Sequence, residues 1–387
     1  MRIAVYGGSF NPPHVGHLAA ARAAIARLRP DKFMFIPAAN PPHKELAPGS
    51  PDAGERLAMT RLMARELPGT EVSDIELRRR GRSYTVDTVT LLAAEYPEAE
   101  IFLLMGTDML LSLEKWYDFH RLLSLVTVAA FARNEGELEE VKAEAQRLEK
   151  AYGARIVTVE SEPVPMASTD VRSLLPQRGG RECLPAQVYS HIIKNRLYGA
   201  RPEFEWLRKR AYSMLKPKRI PHVIGCEEEA VRLARHWGAD AEKAAEAGIL
   251  HDITKKLLLR EQLILCEKYD IVNDNVERES TKLLHAKTGA EAARRLFGAD
   301  DEVYGAIRWH TTGRAGMTLL EKVIYMADYI EPNRDFEGVD ELRRLAYTDL
   351  DAAMILGLRM SLEDLRSGGI TPHPRTTQAL EWFSGRR

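Results

Sequence analysis

A chain of 387 residues exceeds the usual reach of one hydrophobic core, so two domains are the starting expectation. With 45% hydrophobic and 29% charged residues it is too apolar for disorder. A formal net charge of -1 leaves no overall field to hold a polyanion, which argues against a nucleic-acid partner and leaves only local basic pockets.

The opening Met1–Phe10 runs straight into a short strand pattern, without the basic start, apolar stretch and small-residue cleavage site of a secretion signal. From there to about Ala200, short β-branched or apolar runs alternate with longer helical patterns. Strands are predicted at Arg2–Tyr6, Lys32–Pro37, Val72–Leu77, Ile101–Met105, Val126–Phe131 and Arg155–Val159. Helices are predicted at His17–Arg29, Thr85–Glu95 and Glu137–Tyr152. This is the pattern of a Rossmann-like, doubly wound parallel sheet covered by helices. The apolar run Leu122–Ala132 is too short to span a bilayer and reads as a helix end followed by a buried strand. Cys183, Cys226 and Cys266 are odd in number and far apart, so they read as reduced, incidental thiols. A cytoplasmic protein with no membrane partner is expected.

Beyond Ala200 the strand pattern gives way to Ala-, Leu- and Glu-rich helical segments, which predicts an all-α second half. The join, Gly199–Arg219, is basic, yet Phe204, Leu207, Ala211 and Leu215 recur at helical spacing. It reads as the helix that opens the second domain. The expected division is 1–200 and 201–387.

The first strand ends in Gly7-Gly8-Ser9-Phe10-Asn11-Pro12-Pro13-His14-Val15-Gly16-His17, and an Ala-rich helix follows. A glycine-containing strand-to-helix loop offers backbone N–H groups and a helix dipole to phosphate. His14 and His17 are three residues apart at the helix start, so both imidazoles can point into one phosphate site.

That string resembles the GxFxPxHxGH signature of the nucleotidylyltransferase superfamily. Later segments resemble the bacterial nicotinate-nucleotide adenylyltransferases: Asn40-Pro41-Pro42-His43-Lys44, Ser83-Tyr84-Thr85-Val86-Asp87-Thr88, Gly106-Thr107-Asp108, Trp116-Tyr117 and Ser168-Thr169-Asp170-Val171-Arg172. The resemblance implies AMP transfer from ATP to nicotinate mononucleotide, with Mg²⁺ accompanying ATP. It assigns His14, His17, Lys44 and Arg172 to catalysis by charge neutralisation, since a phosphate nucleophile needs no strong base. Gly8, Ser9, Phe10, Gly16, His17, Gly106, Asp108, Ser168, Thr169 and Arg172 fall to ATP. Asn11, Lys44, Thr85, Asp108, Trp116 and Arg133 fall to the nicotinate nucleotide, with the Trp116 indole as a stacking platform. Trp116 as a core aromatic and Thr85 as a helix N-cap are the competing readings. The family's Ile-Ser before Ser-Thr is replaced here by Met166-Ala167, which leaves the hydroxyl pair and the arginine intact and weakens the case for residue 167.

The second half carries His222, His251-Asp252, His285, His310 and Asp328 within helical patterns. Imidazole and carboxylate suit borderline metals, and an aspartate on an otherwise buried helical stretch calls for compensation. The order His, His-Asp, Asp, with Gly248-Ile249-Leu250-His251-Asp252 the most specific segment, resembles the HD-domain phosphohydrolases. With His285 and His310 it is similar to the symmetrical dinucleoside tetraphosphatases. The resemblance implies a binuclear centre, iron or alternatively Mn, Co or Zn. His222, His251, Asp252 and Asp328 would hold one ion, and Asp252, His285 and His310 the other. Lys255 and Arg314 are assigned to substrate phosphates, and Lys256 to solvent. The implied substrate is a dinucleoside polyphosphate such as diadenosine tetraphosphate, cut to two ADP. Transfer to another phosphate acceptor, a catalytically silent helical sensor domain, and a homo-oligomer are the alternatives left open, as is nicotinate against nicotinamide mononucleotide.

Overall fold

A computed structural model describes residues 1–41, 45–79, 81–132, 134, 136–160, 162 and 164–385. The chain divides into two compact units, Met1–Arg201 and Pro202–Arg387.

In the first unit the strands are β1 (Arg2–Gly8), β2 (Lys32–Pro37), β3 (Thr70–Val72), β4 (Glu100–Gly106), β5 (Thr127–Phe131) and β6 (Ile156–Val159). Its helices are α1 (Val15–Leu28), α2 (Ala53–Ala64), α3 (Ile75–Arg78), α4 (Thr85–Glu95), α5 (Thr107–Leu111), α6 (Phe119–Leu125), α7 (Leu138–Tyr152), α8 (Ser168–Leu174) and α9 (Ala186–Lys194). The strands form one parallel sheet in the order β3-β2-β1-β4-β5-β6. Ile3 to Tyr6 of β1 and all of β5 are buried in succession, as expected of strands covered on both faces. α1 buries Leu18, Ala20, Ala21, Ala24 and Leu28, a stripe at helical spacing.

Because β1 lies between β2 and β4, the chain reverses its direction of travel across the sheet at β1. The carboxyl ends of β1 and β4 therefore flank a crevice at the switch point, where doubly wound sheets bind ligands.

The strand predicted at Val72–Leu77 is corrected: β3 spans only Thr70–Val72, and a helical turn follows. The Ser73 hydroxyl accepts the Ile75 N–H at 3.3 Å, and Asp74 pairs with Arg78 four residues on at 2.9 Å. The Ser73 side chain thus satisfies a backbone N–H locally, where the ladder ends. α4 begins at Thr85 with Tyr84 in the N-cap place, so Thr85 is not the cap.

The second unit consists of α10 (Phe204–Ser213), α11 (Ile220–Trp237), α12 (Ala241–Leu250), α13 (Leu259–Lys268), α14 (Asn275–Arg278), α15 (Thr281–Phe297), α16 (Asp301–Trp309), α17 (Leu319–Ile330), α18 (Val339–Thr348), α19 (Leu350–Ser367) and α20 (Pro374–Ser384). α10 is the helix expected at the join and buries Trp206, Leu207 and Ala211. Asp240, Asp300, Thr318 and Asp349 cap the helices that follow them through side-chain oxygens. α11 packs on α12 and α17, and α15 on α16. The α11–α12 crossing requires Gly248, where an added Cβ would lie 2.8 Å from Glu227 Cα. Among the described residues no helix is long and apolar enough to cross a membrane.

Candidate active sites

In the first unit, two cavities meet at the switch point. The polar one is lined by Gly7, Gly8, Ser9, His14, Gly16 and His17 from the opening loop, by Asp108, and by Ser168, Thr169 and Arg172 from the start of α8. The other is mainly apolar and is lined by Ile36, Ser83, Thr85, Val89, Leu103 and Trp116 among others. Both include Gly7, Gly8, Ser9 and Asp108, so two ligands would touch across that floor.

The His14 and His17 rings lie 3.8 Å apart at 44°. The backbone N–H of His14 donates to His17 Nδ1 at 3.1 Å, so in the neutral ring the proton sits on Nε2, as a donor toward the cavity. Gly16 makes room for this pair, since a Cβ there would lie 3.0 Å from His14 Nδ1. Arg172 donates to the Asn11 carbonyl at 2.6 Å and to Thr169 Oγ1 at 3.2 Å, and Ser168 Oγ donates to the Pro12 carbonyl at 2.9 Å. These bonds bring the α8 start against the opening loop, 156 and 161 residues away in sequence.

Several expected residues stand elsewhere. Phe10 is buried beneath the loop against Tyr6, His17 and Phe35, and lines neither cavity. Gly106 ends β4 and caps α5 without lining either. Asn11 faces the polar cavity rather than the apolar one, and its amide is engaged by Ser50 and Tyr198 at 2.7 and 2.8 Å. Trp116 lines the apolar cavity and also packs on the core. Lys44 and Arg133 lie outside the described residues.

Sequence reasoning missed Arg56. This fully buried α2 residue donates to the Ser9, Ala38 and Ala39 carbonyls at 2.8, 2.6 and 3.0 Å, joining the ends of β1 and β2. Glu76, a buried carboxyl on the apolar cavity, was missed as well. No local pattern marks either residue.

In the second unit, six expected side chains converge. His222, His251 and Asp328 form one group and Asp252, His285 and His310 another, with ligand atoms in each within 4.8 Å of one another. Asp252 faces both. Its Oδ1 is 3.1 Å from His285 Nε2 and 3.8 Å from His310 Nε2, and its Oδ2 is 3.5 Å from His251 Nε2 and 4.0 Å from His222 Nε2. His251 and His310 each follow the last turn of a helix, α12 and α16, and each lies within hydrogen-bond reach of the carbonyl three residues back. Their Nδ1–H groups donate to Gly248 and Ile307 at 2.7 and 2.6 Å. That fixes the neutral tautomer and aims both Nε2 lone pairs inward. His222 Nδ1 is held by Glu331 at 3.0 Å, with Gly225 leaving room for the Glu331 carboxylate.

The donor set fits divalent cations. His285 Nε2 and His310 Nε2 approach to 3.0 Å, and the buried Asp252 Oδ1 has no hydrogen-bond partner among the described residues. Facing acceptors at such distances are relieved by a cation between them. Burial pushes the pKa values of both His285 and His310 down, reinforced by Lys255 on the first and by neighbouring imidazoles on the second. Neutral imidazole is the ligating form. Burial opposes ionisation of Asp252, but His251, His285 and Lys255 outweigh it and hold the carboxyl well below the usual carboxylate range.

Lys255 reaches Asp252 Oδ1 at 3.4 Å and His285 Nε2 at 3.1 Å. Arg219, missed from sequence, lies 2.5 Å from Asp252 Oδ2, and Arg334 holds Asp328 at 2.7 Å. Arg314, expected at substrate phosphate, is drawn away instead: it pairs with Glu321 at 3.0 Å and lines neither cavity beside the imidazoles. His373, left as ordinary, meets Asp274 and Glu277, but the Glu277 carboxylate is already neutralised by Lys287 and Arg375. Cys183, Cys226 and Cys266 are buried and form no disulfide with one another.

Residues 5–174 match the Cytidylyltransferase-like family and residues 219–333 the HD domain. The chain is 29% identical over 365 residues to the probable nicotinate-nucleotide adenylyltransferase/Ap4A hydrolase of Mycoplasma genitalium, covering 92% of this chain and 97% of that one. It is 43% identical over 174 residues to the symmetrical bis(5'-nucleosyl)-tetraphosphatase of Bacillus subtilis, covering 44% of this chain and 91% of that one. With the probable nicotinate-nucleotide adenylyltransferase of Carboxydothermus hydrogenoformans it shares 35% over 198 residues, 51% of this chain and 98% of that one. The strand order, the twin imidazoles at the switch point and the six-residue cluster agree with these matches: the chain belongs to the nicotinate-nucleotide adenylyltransferase family in its first half and to the symmetrical bis(5'-nucleosyl)-tetraphosphatase family in its second.

Proposed function

We propose that residues 1–200 form a domain that transfers AMP from ATP to nicotinate mononucleotide, releasing nicotinate adenine dinucleotide and pyrophosphate. Residues 201–387 form a domain that hydrolyses a dinucleoside polyphosphate such as diadenosine tetraphosphate to two ADP. The observation that carries the first assignment is the shared floor of Gly7, Gly8, Ser9 and Asp108 between a polar and an apolar cavity. The triphosphate lies against His14, His17, Ser168, Thr169 and Arg172, and the pyridine nucleotide against Thr85 and Trp116. The acceptor phosphate then meets the α-phosphorus of ATP at the floor, already anionic, so alignment and charge neutralisation carry the reaction. Mg²⁺ arrives with ATP. Lys44 and Arg133 are assigned here on family resemblance alone.

For the second domain the carrying observation is Asp252, facing both imidazole groups. His222, His251, Asp252 and Asp328 would hold one ion, and Asp252, His285 and His310 the second, iron being preferred and Mn, Co or Zn accepted by the same donors. Bound there, two divalent cations supply Lewis acidity to charge developing on the phosphoryl oxygens. Glu331 and the Gly248 and Ile307 carbonyls keep the rings aimed, and Lys255 holds a phosphate. ATP chemistry and three buried cysteines outside any disulfide fit a reducing, cytoplasmic setting.

Purified protein given ATP and nicotinate mononucleotide should release pyrophosphate, and His17→Ala should lower that rate about 100-fold or more with the fold intact. Normal turnover in the variant removes the transferase assignment. Nicotinamide mononucleotide in a parallel assay decides the acid-or-amide preference. Protein that takes up neither Fe²⁺ nor Mn²⁺ would sink the hydrolase assignment.

A further inference from the structure

Four imidazoles gather around Asp252, and three of them are aimed by a hydrogen bond to the outer ring nitrogen. His251 and His310 are held at Nδ1 by the Gly248 and Ile307 carbonyls, and His222 by Glu331. His285 differs: its Nδ1 is buried and has no hydrogen-bond partner among the described residues. A ring without such a partner takes its aim from the backbone that carries it. The 3.1 Å approach of His285 Nε2 to Asp252 Oδ1 is therefore set by where α15 lies against the turn that follows α12.

A buried network of three side chains fixes that placement. Thr254 in the turn, Gln262 on α13 and Thr288 on α15 are each 1% exposed or less. The Thr254 hydroxyl lies 2.9 Å from Thr288 Oγ1 and 3.0 Å from the carbonyl of His285 itself, so whichever accepts its proton, the bond crosses from the turn to α15. Gln262 closes the network: its Nε2 donates to the Thr254 carbonyl at 2.8 Å, and its Oε1 accepts from the Thr288 hydroxyl. An amide suits this place because it donates to one partner and accepts from the other, which neither an ionised carboxylate nor an apolar chain does. Gly289 leaves room for the contact, since a Cβ there would lie 3.3 Å from the His251 carbonyl and 3.4 Å from Thr254 Oγ1.

Resting on the hydrolase reading above, we infer that Gln262 is a positioning residue for the ion assigned to Asp252, His285 and His310, acting through Thr254 and Thr288. The other ion does not depend on it. His222, His251 and Asp328 belong to α11, the end of α12 and α17, and their outer bonds run to Glu331, Gly248 and Arg334, none of which belongs to the network. Removing one buried amide on α13 therefore releases α15, and with it His285, while the three other side chains keep their aim. The consequence is a centre that loses one ion and retains its neighbour.

The test strips the full chain with chelator, reloads it with Mn²⁺ alone and follows it by metal analysis and electron paramagnetic resonance, where two ions sharing a carboxylate give a spin-coupled spectrum and an isolated ion does not. The parent should hold two ions, one for each group of side chains. Gln262→Met keeps the volume and loses both bonds, so it should hold one, with affinity for the second weakened at least about tenfold and the coupled spectrum replaced by that of an isolated ion. Thr288→Val should do the same, and Thr288→Ser, which restores the hydroxyl, should keep both; this pair decides the matter should Gln262→Met fail to fold. In a His285→Ala background Gln262→Met should cost no further ion. Two ions at parental affinity in Gln262→Met or Thr288→Val overturn the inference, as does the loss of both ions together from a folded variant, or a parent that holds a single ion. A parent that takes up no ion, with Fe²⁺ as with Mn²⁺, overturns the hydrolase assignment itself, and this role of Gln262 with it.

Discussion

Glu76, a buried carboxyl on the apolar cavity, gives the first unit a pH-dependent stability. It is only 8% exposed, Oε1 accepts from Thr88 Oγ1 at 2.8 Å, and Oε2 has no hydrogen-bond partner among the described residues. Burial raises its pKa above the ordinary 4.5, against the opposing hydrogen bond of Thr88. An acid with a raised folded-state pKa binds its proton more tightly when folded, so its contribution to stability is greatest at low pH. That contribution is lost as pH climbs from 4.5 through the folded value. Glu76→Gln should therefore gain on the parent as pH rises and unfold at higher temperature at neutral pH, as followed by scanning calorimetry across the range. A gain that shrinks with pH would contradict the assigned burial cost. The twin imidazoles were legible in the sequence because a ten-residue string places them. Glu76, Arg56 and Arg219 were not: Arg56 serves carbonyls 47, 18 and 17 residues away, and only folding creates those neighbours.

Element by element, the periodic helices and five of the six predicted strands read correctly, and β3 did not. α4 occupies the predicted Thr85–Glu95, while β3 stops at Val72 because Ser73 and Asp74 close a turn that strand propensity does not register. The helices of the second half were readable by composition and caps, but not which faces meet. That choice turns on contacts such as Gly248 against Glu227, where an added Cβ would lie 2.8 Å from backbone. Gly248→Ala should force α11 and α12 apart and destabilise the second unit by about 1–3 kcal/mol. Because His251 and Asp252 begin three residues later, metal uptake should fall in the same variant. Denaturant unfolding with parallel metal analysis checks both, and unchanged stability would contradict the crossing described.

For the whole molecule, the chain divides between Arg201 and Pro202 into two compact units, the first built on the sheet and the second of helices, each with its own candidate site. Expressed separately, the two halves should each fold and keep the specific rate of their reaction in the full chain. A half that folds yet loses its rate would show that one unit completes the other's site. Inside the first unit no such independence is available to the two substrates. Arg56 is a single rivet through the ends of two neighbouring strands, bonded to the Ser9 carbonyl in the floor shared by the two cavities. Loosening it with Arg56→Lys should raise the KM for ATP and for the pyridine nucleotide together, each by about tenfold. Selection acting on the grip for one substrate would thus inevitably retune the other.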